Sequence, residues 1–302
     1  MSKVQVNKAS TLTGHHDCVY TLEEIPGTPT FFSGSGDGMI VRWTHGQEDG
    51  ALVARMKTSV YALAYDSTSG HLLAGHNYEG LHVIDWQAQK EIGSLRLHSA
   101  AYYDIKIAGR QAWVACGDGS VMVINLSTLT VEKKLEDATQ SARTIAIHPL
   151  KKEVAIGYSD HHIRVYGLDD YKLLRTFIAH ANSVFTVKYS QDGSWLLSGS
   201  RDAKLKVWET DNEYRLKSEI AAHLYAINDV RFSPDWKHFV TCSMDKSVKV
   251  WRTEDLTLLK VIDKARHAGH GTSVNKLLWS SFNNRIVSAS DDRTISIWDV
   301  IF

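Results

Sequence analysis

Four times along this sequence a His, a hydroxyl residue, an Asp and a Trp recur in the same order. The sets are His15/Ser33/Asp37/Trp43, His180/Ser198/Asp202/Trp208, His223/Thr241/Asp245/Trp251 and His270/Ser288/Asp292/Trp298. Ser, His and Asp together are the groups of nucleophilic acyl transfer, in which imidazole takes the hydroxyl proton and a carboxylate orients the ring. An enzyme needs one activated nucleophile. Four parallel copies favour the other use of these groups, a satisfied buried hydrogen-bond network that rigidifies a fold. The hydroxyl member is open at this point, because Ser35, Ser200, Ser243 and Ser290 lie two residues further on.

Other chemistry-bearing stretches read more plainly. Ser33-Gly34-Ser35-Gly36-Asp37-Gly38 has the glycines of a phosphate cradle. It lacks the Lys-Ser/Thr that follows in a P-loop and precedes a strand pattern rather than a helix, so it reads as a hairpin turn. The close histidines His15-His16, His161-His162 and His267/His270 show neither an HExxH pattern nor Cys/His zinc spacing. No metal and no cofactor is expected from them. Cys18, Cys116 and Cys242 are far apart with no CxxC, and read as buried small apolar residues in a reducing compartment.

The elements that position these groups are short alternating runs. Val184-Phe185-Thr186-Val187-Lys188-Tyr189, Trp195-Leu196-Leu197-Ser198 and Leu205-Lys206-Val207-Trp208 are separated by polar turns, and a fourth run spans residues 214–221. Period-two alternation with Gly/Asp/Ser punctuation predicts antiparallel strands joined by tight turns. The unit recurs. A turn Asp followed six residues later by a large residue appears at Asp37/Trp43, Asp118/Ile124, Asp160/Tyr166, Asp202/Trp208, Asp245/Trp251 and Asp292/Trp298, with a degenerate copy at Tyr78/Ile84. The later markers are spaced 41, 40, 42, 42, 43 and 47 residues apart, so seven copies account for the chain. The longest interval holds an insertion, Asp263 to Ala268, expected to protrude as a loop on the face of the His-bearing loops.

This period, with H-x-x-S-V openings such as His180-Ala181-Asn182-Ser183-Val184 and the closing Trp298-Asp299, resembles the WD-repeat (WD40) β-propeller family over essentially the whole chain. The resemblance implies an all-β, seven-bladed propeller of four-stranded antiparallel blades, a single domain over residues 1–302. A four-stranded sheet with two apolar faces must stack on like neighbours. The last copy supplies only three strands, and residues 3–13 form an orphan run before the first His. The N-terminal strand is therefore expected to complete the last blade. The resemblance also implies that each His/hydroxyl/Asp/Trp set pins its loop and hairpin to the indole. Three contiguous copies depart from the pattern. The second lacks the His, Asp and Trp but carries Trp86; the third keeps His98 and Asp118 with Ala115 and Ile124; the fourth keeps Asp160 and Tyr166 without the His.

Members of this family often bind peptides at the channel mouth. The residue after the Val of each H-x-x-S-V segment begins the innermost strand, giving Tyr20, Tyr61, Tyr103, Arg143, Phe185, Asn228 and Asn275. Four aromatics and an Arg offer large contact area with polar handles, which suits an extended peptide with an acidic group opposite Arg143. Arg201 and Met244, each just before a turn Asp, are further candidate contacts. The alternative use of the ring is to plug a narrow channel.

Composition narrows the function classes. Lys and Arg total 34 and Asp and Glu total 34, for a formal charge of zero. That balance argues against a dedicated binder of nucleic acid or an anionic membrane. No stretch approaches a membrane span and the first residues carry no apolar leader, so a cytoplasmic location is expected. The reading is a non-catalytic interaction scaffold, a monomeric propeller acting within a complex and holding a protein or peptide partner at the mouth. Two alternatives remain: an architectural subunit that uses its outer rim, and an enzyme that uses the channel.

Overall fold

A computed structural model describes residues 4–76, 78–96 and 100–302. Asn77 and His98 of the repeat pattern lie outside them. The alternating runs form seven antiparallel sheets of four strands each. The innermost strands are Val19–Glu24, Val60–Asp66, Tyr102–Ala108, Ala142–Ile147, Val184–Tyr189, Ile227–Phe232 and Val274–Trp279. Each contacts the next, and the seventh contacts the first, so the sheets stand as blades around a closed ring.

Closure follows the apolar pattern. The strand Gln5–Leu12 pairs antiparallel with Ile295–Ile301 and becomes the outer strand of the seventh blade, in register from Gln5 with Ile301 to Leu12 with Ile295. Leu12 is 1% exposed and packs with Val19, Phe31 and Trp43 of the first blade and Leu278 and Val287 of the seventh. Blade stacking thus buries one apolar cluster at each of the seven interfaces. The outer strands are mostly exposed, as in Thr130–Leu135 and Leu173–Ile178.

Two details differ from the sequence expectation. The glycine-rich stretch is a turn only from Gly36 onward; Thr30–Ser35 is a buried strand. A Cβ on Gly34 would lie 2.7 Å from Val60 Cγ1 and 2.8 Å from Thr21 Cγ2, so this glycine is required by close packing of the next blade. The insertion is a single helical turn, Lys264–His267, whose N-cap Asp263 accepts from Arg266 N–H at 2.9 Å. Lys8 Nζ donates to Ala268 O at 2.8 Å, tying the turn to the closing strand.

Candidate functional site

The four complete sets are assembled in the same way. His15 Nε2 lies 2.7 Å from Ser33 Oγ, Trp43 Nε1 donates to the same oxygen at 2.8 Å, and His15 Nδ1 lies 3.1 Å from Asp37 Oδ2. His180/Ser198/Asp202/Trp208 repeats this with 2.7, 2.8 and 3.0 Å. His223 reaches Thr241 at 2.7 Å and Asp245 at 2.8 Å, and Trp251 donates to Thr241 at 2.9 Å. His270, Ser288, Asp292 and Trp298 close the fourth set with three contacts of 2.9 Å. Because an indole can only donate, the hydroxyl accepts from Trp and gives its own proton to imidazole Nε2. That leaves Nδ1–H to donate to the carboxylate. Each Asp also caps backbone, as Asp37 does for His16 N and Met39 N, both at 2.8 Å.

The second row of hydroxyls does a different job. Ser35 donates to Asp17 O at 3.0 Å and accepts from Asp37 N, and Ser200, Ser243 and Ser290 repeat the pattern. The first row therefore binds the imidazole and the second fixes the loop backbone. Burial lowers the pKa of His15, His180 and His223 against the opposing pull of the carboxylates. Burial opposes the Asp charges too, yet the hydrogen bonds made by His and backbone N–H hold Asp37, Asp202, Asp245 and Asp292 below the usual carboxylate range. Ser33, Ser198, Thr241 and Ser288 are 0% exposed. A hydroxyl sealed from solvent and already accepting an indole proton has no path to a substrate.

The departing blades use other ties. In the fourth, Arg164 grips Asp160 through Nη1 at 3.2 Å and Nη2 at 2.7 Å, and Tyr166 donates to Asp137 at 3.1 Å. In the second, Trp86 Nε1 donates to Gly70 O at 3.1 Å. In the third, the residue in register with the hydroxyl row is Val114 rather than Ala115: it faces Ile105 as Ser33 faces Leu22 and stands four residues before Asp118 as Ser33 does before Asp37, and the inner strand beside it carries an extra residue. Cys116 and Cys242 are buried as expected. Cys18 is half-buried, with its Sγ 3.7 Å from Asp291 O.

That extra residue recurs in every blade. The pairing of inner strand with its neighbour slips between Val19 and Thr21, Val60 and Ala62, Tyr102 and Asp104, Ala142 and Thr144, Val184 and Thr186, Ile227 and Asp229, and Val274 and Lys276. The skipped positions are Tyr20, Tyr61, Tyr103, Arg143, Phe185, Asn228 and Asn275. A bulge leaves its residue out of the ladder and re-aims the side chain. All seven line one cavity of about 230 Å³, together with Asp104, Thr144 and Lys276. The aromatic side is continuous, with ring centroids 4.6 Å apart for Tyr20–Tyr61 and 5.8 Å for Tyr61–Tyr103. The Arg143 guanidinium sits 3.9 Å from the Tyr103 centroid and 4.9 Å from that of Phe185. Burial lowers its pKa, with Tyr103 opposing. Among the described residues no carboxylate lies within ion-pair distance of it.

The opposite side of the mouth is tied down. Asn228 donates to Val274 O at 2.8 Å, and Asn275 to Val19 O at 3.1 Å and Asp291 Oδ1 at 2.7 Å. Arg201 and Met244 do not line the cavity; both are exposed, and their backbone N–H groups bond Ser183 O and Ala226 O. Sequence reasoning missed Leu224 and Tyr225, 83% and 64% exposed beside the 50% exposed Met244. Two large apolar residues directly after a network His were the available signal.

A closed ring of seven four-stranded blades around a central channel, with a mouth built from bulge residues, defines a seven-bladed β-propeller. The WD domain, G-beta repeat family profile matches residues 7–44, 171–209, 214–252 and 263–299, and the chain belongs to this WD-repeat family. The matched stretches contain the four complete His/hydroxyl/Asp/Trp sets, and of the three departing blades only the outer strand of the fourth, Leu173–Ile178, falls within them. The chain is 21% identical over 210 residues to a striatin homolog of Dictyostelium discoideum, covering 66% of this chain and 21% of that one. It is 24% identical over 213 residues to meiotic fizzy-related protein 1 of Schizosaccharomyces pombe, covering 67% and 50%. With human striatin-4 it shares 23% over 207 residues, covering 67% and 23%. It thus spans between about a fifth and a half of the length of these curated relatives. The crystal structure of the WD40 β-propeller domain of Doa1 superposes with a TM-score of 0.87 at 18% identity, covering 98% of this chain and 97% of that one. Among the described residues no helix is long and apolar enough to cross a membrane.

Proposed function

We propose that this propeller is a protein-interaction scaffold that holds an extended peptide segment of its partner at the channel mouth, with an acidic side chain of that segment against Arg143. The observation that carries the reading is the Arg143 guanidinium, held between the Tyr103 and Phe185 rings with no carboxylate within ion-pair distance among the described residues. A partly desolvated cation flanked by aromatic faces gains most when a carboxylate arrives, through a charge-assisted and bidentate contact. Tyr20 and Tyr61 extend the apolar floor beside it. The exposed Leu224, Tyr225 and Met244 offer a second contact for a longer segment. The relatives support the reading as fellow WD-repeat chains; their own partners do not transfer at these identities. The role is binding rather than catalysis, since the Ser/His/Asp sets are sealed.

The test is selection from a random peptide library on immobilised wild type and on Arg143→Glu, after circular dichroism shows both folded. Wild type is expected to enrich peptides with an acidic residue next to apolar ones, and Arg143→Glu to lose that acidic preference. Enrichment that ignores the substitution, or none at all, moves the partner site away from the mouth.

A further inference from the structure

The second blade has lost its His/hydroxyl/Asp/Trp set, yet it gathers a different group of ligating atoms. His76, Glu79 and His82 place one ligand atom each within 4.8 Å of one another. In sequence they form H-x-x-E-x-x-H across a hairpin, a spacing absent from the histidine pairs that the sequence singles out. His76 ends the strand His71–His76 in register with Val60, the place Ser35 holds opposite Val19 in the first blade. His82 lies on the neighbouring strand Gly80–Asp85 and pairs with Ala74. The chemistry therefore sits where the four complete blades keep their loop-fixing hydroxyl.

We propose that His76, Glu79 and His82 bind a divalent transition-metal ion of the zinc class. The two Nε2 atoms are 2.9 Å apart, and His76 Nε2 is 3.6 Å from Glu79 Oε2. Ligands about 2.0–2.1 Å from a tetrahedral zinc stand roughly 3.4 Å from one another, so a spread of about half an ångström between the imidazoles admits the ion. Two imidazoles and one carboxylate suit zinc, and their nitrogens disfavour calcium or magnesium, which take oxygen ligands.

The outer contacts point the same way. His82 Nδ1 lies 2.9 Å from Glu91 Oε2, so its proton goes to that carboxylate and Nε2 keeps its lone pair. A carboxylate behind a ligating imidazole fixes its tautomer and raises its basicity. His76 Nδ1 lies 3.1 Å from Thr58 Oγ1, a hydroxyl that can donate or accept. The metal-free pair shares a single proton between the Nε2 atoms. When the ion takes both lone pairs, His76 carries its proton on Nδ1 and donates it to Thr58. Glu79 holds Lys57 through Oε1 at 3.0 Å and keeps Oε2 for the ion. The His76 side chain is 1% exposed, that of His82 12% and that of Glu79 37%, leaving a route from the hairpin tip and room for a water or partner group as fourth ligand. A bound ion would pin hairpin to strand as the hydrogen-bond networks do in the complete blades.

The test strips the purified chain with EDTA, titrates it with Co²⁺ while following visible absorption, and displaces the Co²⁺ with Zn²⁺. Thermal melts with and without Zn²⁺ run in parallel. Wild type is expected to take one equivalent with micromolar or tighter affinity and to melt higher with Zn²⁺. His82→Gln should abolish the Co²⁺ spectrum, and Glu79→Gln should weaken binding by about tenfold or more. Glu79 is partly exposed at a turn, so its variant carries the test if His82→Gln does not fold. Absence of a saturable equivalent in wild type, or binding by Glu79→Gln at wild-type affinity, overturns the proposal.

Discussion

Val6 pairs with Val300, so the first and last strands of the described chain are neighbours in one sheet. Every other blade is built from four consecutive strands; this one joins residues almost the whole sequence apart. The ring is held shut by that pairing and by the 8% and 1% exposed side chains of Val6 and Leu12.

Removing residues 1–12 should therefore do more than trim an end. It bares the edge of Ile295–Ile301 and opens the apolar cluster around Leu12. A bare strand edge is a template for pairing with other chains. The truncated chain should unfold at much lower urea and elute as oligomers in size exclusion with light scattering. A synthetic peptide of residues 4–13 added in trans should restore the monomer. A truncated chain that stays monomeric with an unchanged midpoint would mean that the closing strand contributes little.

Ser198→Ala should be far costlier than its volume suggests. The substitution leaves His180 Nε2 and Trp208 Nε1 facing an apolar methyl in a site with no solvent access. Each unsatisfied buried group costs about 1–3 kcal/mol, so a loss of about 2–4 kcal/mol is expected. Ser200→Ala removes only bonds to Asn182 O and Asp202 N near the loop and should cost about 1 kcal/mol. Urea denaturation of the two variants gives the order directly; equal losses would refute the division of labour between the two rows.

The repeat count, the strand order and the closure were legible because alternation marks every blade and the turn Asp marks six of the seven. The choice between Ser33 and Ser35 was not. Both lie on the same side of one strand and both are 0% exposed, and only depth relative to Trp43 separates them. The seven mouth positions follow from repeat register, but the reason they face the channel is the bulge, which carries no residue signature: Tyr, Arg, Phe and Asn all occupy it. His76, Glu79 and His82 escaped notice because the blade that holds them lost the markers by which the others align. Gly34 looked like turn chemistry, and only the approach of Val60 from the next blade shows why a side chain is excluded.

Trp113 should tolerate what Trp251 cannot. Trp113 Nε1 is buried without a hydrogen-bond partner among the described residues, whereas Trp251 Nε1 donates to Thr241 at 2.9 Å. Replacing Trp113 by Phe leaves some space empty but also removes an unsatisfied donor, a penalty of about 1–3 kcal/mol. The net change is expected within about 1 kcal/mol of zero, while Trp251→Phe, which strips a donor from the buried Thr241 hydroxyl that also holds His223, should cost about 2–3 kcal/mol. Denaturant melts of both variants decide it; a Trp113→Phe loss as large as that of Trp251→Phe would show that an unseen partner holds the Trp113 indole.

Acid should weaken the ring in two stages. His15, His180 and His223 titrate below their ordinary value because they are buried. As pH falls through about 6.5 the unfolded chain gains imidazole protons that the folded chain refuses, so unfolding becomes easier. Their contribution is complete above that pH and is lost progressively beneath it. Asp37, Asp202, Asp245 and Asp292 also titrate below their ordinary value, held there by His and backbone donors. Their contribution is present above about pH 4 and is lost as pH falls further. Urea midpoints measured from pH 8 to pH 3 should be flat at the top, decline from near pH 6.5, and steepen below about pH 4. His180→Gln, which cannot take up a proton, should start from a lower midpoint but show a shallower first decline. A first decline of undiminished slope in that variant would assign the upper stage to histidines outside the networks.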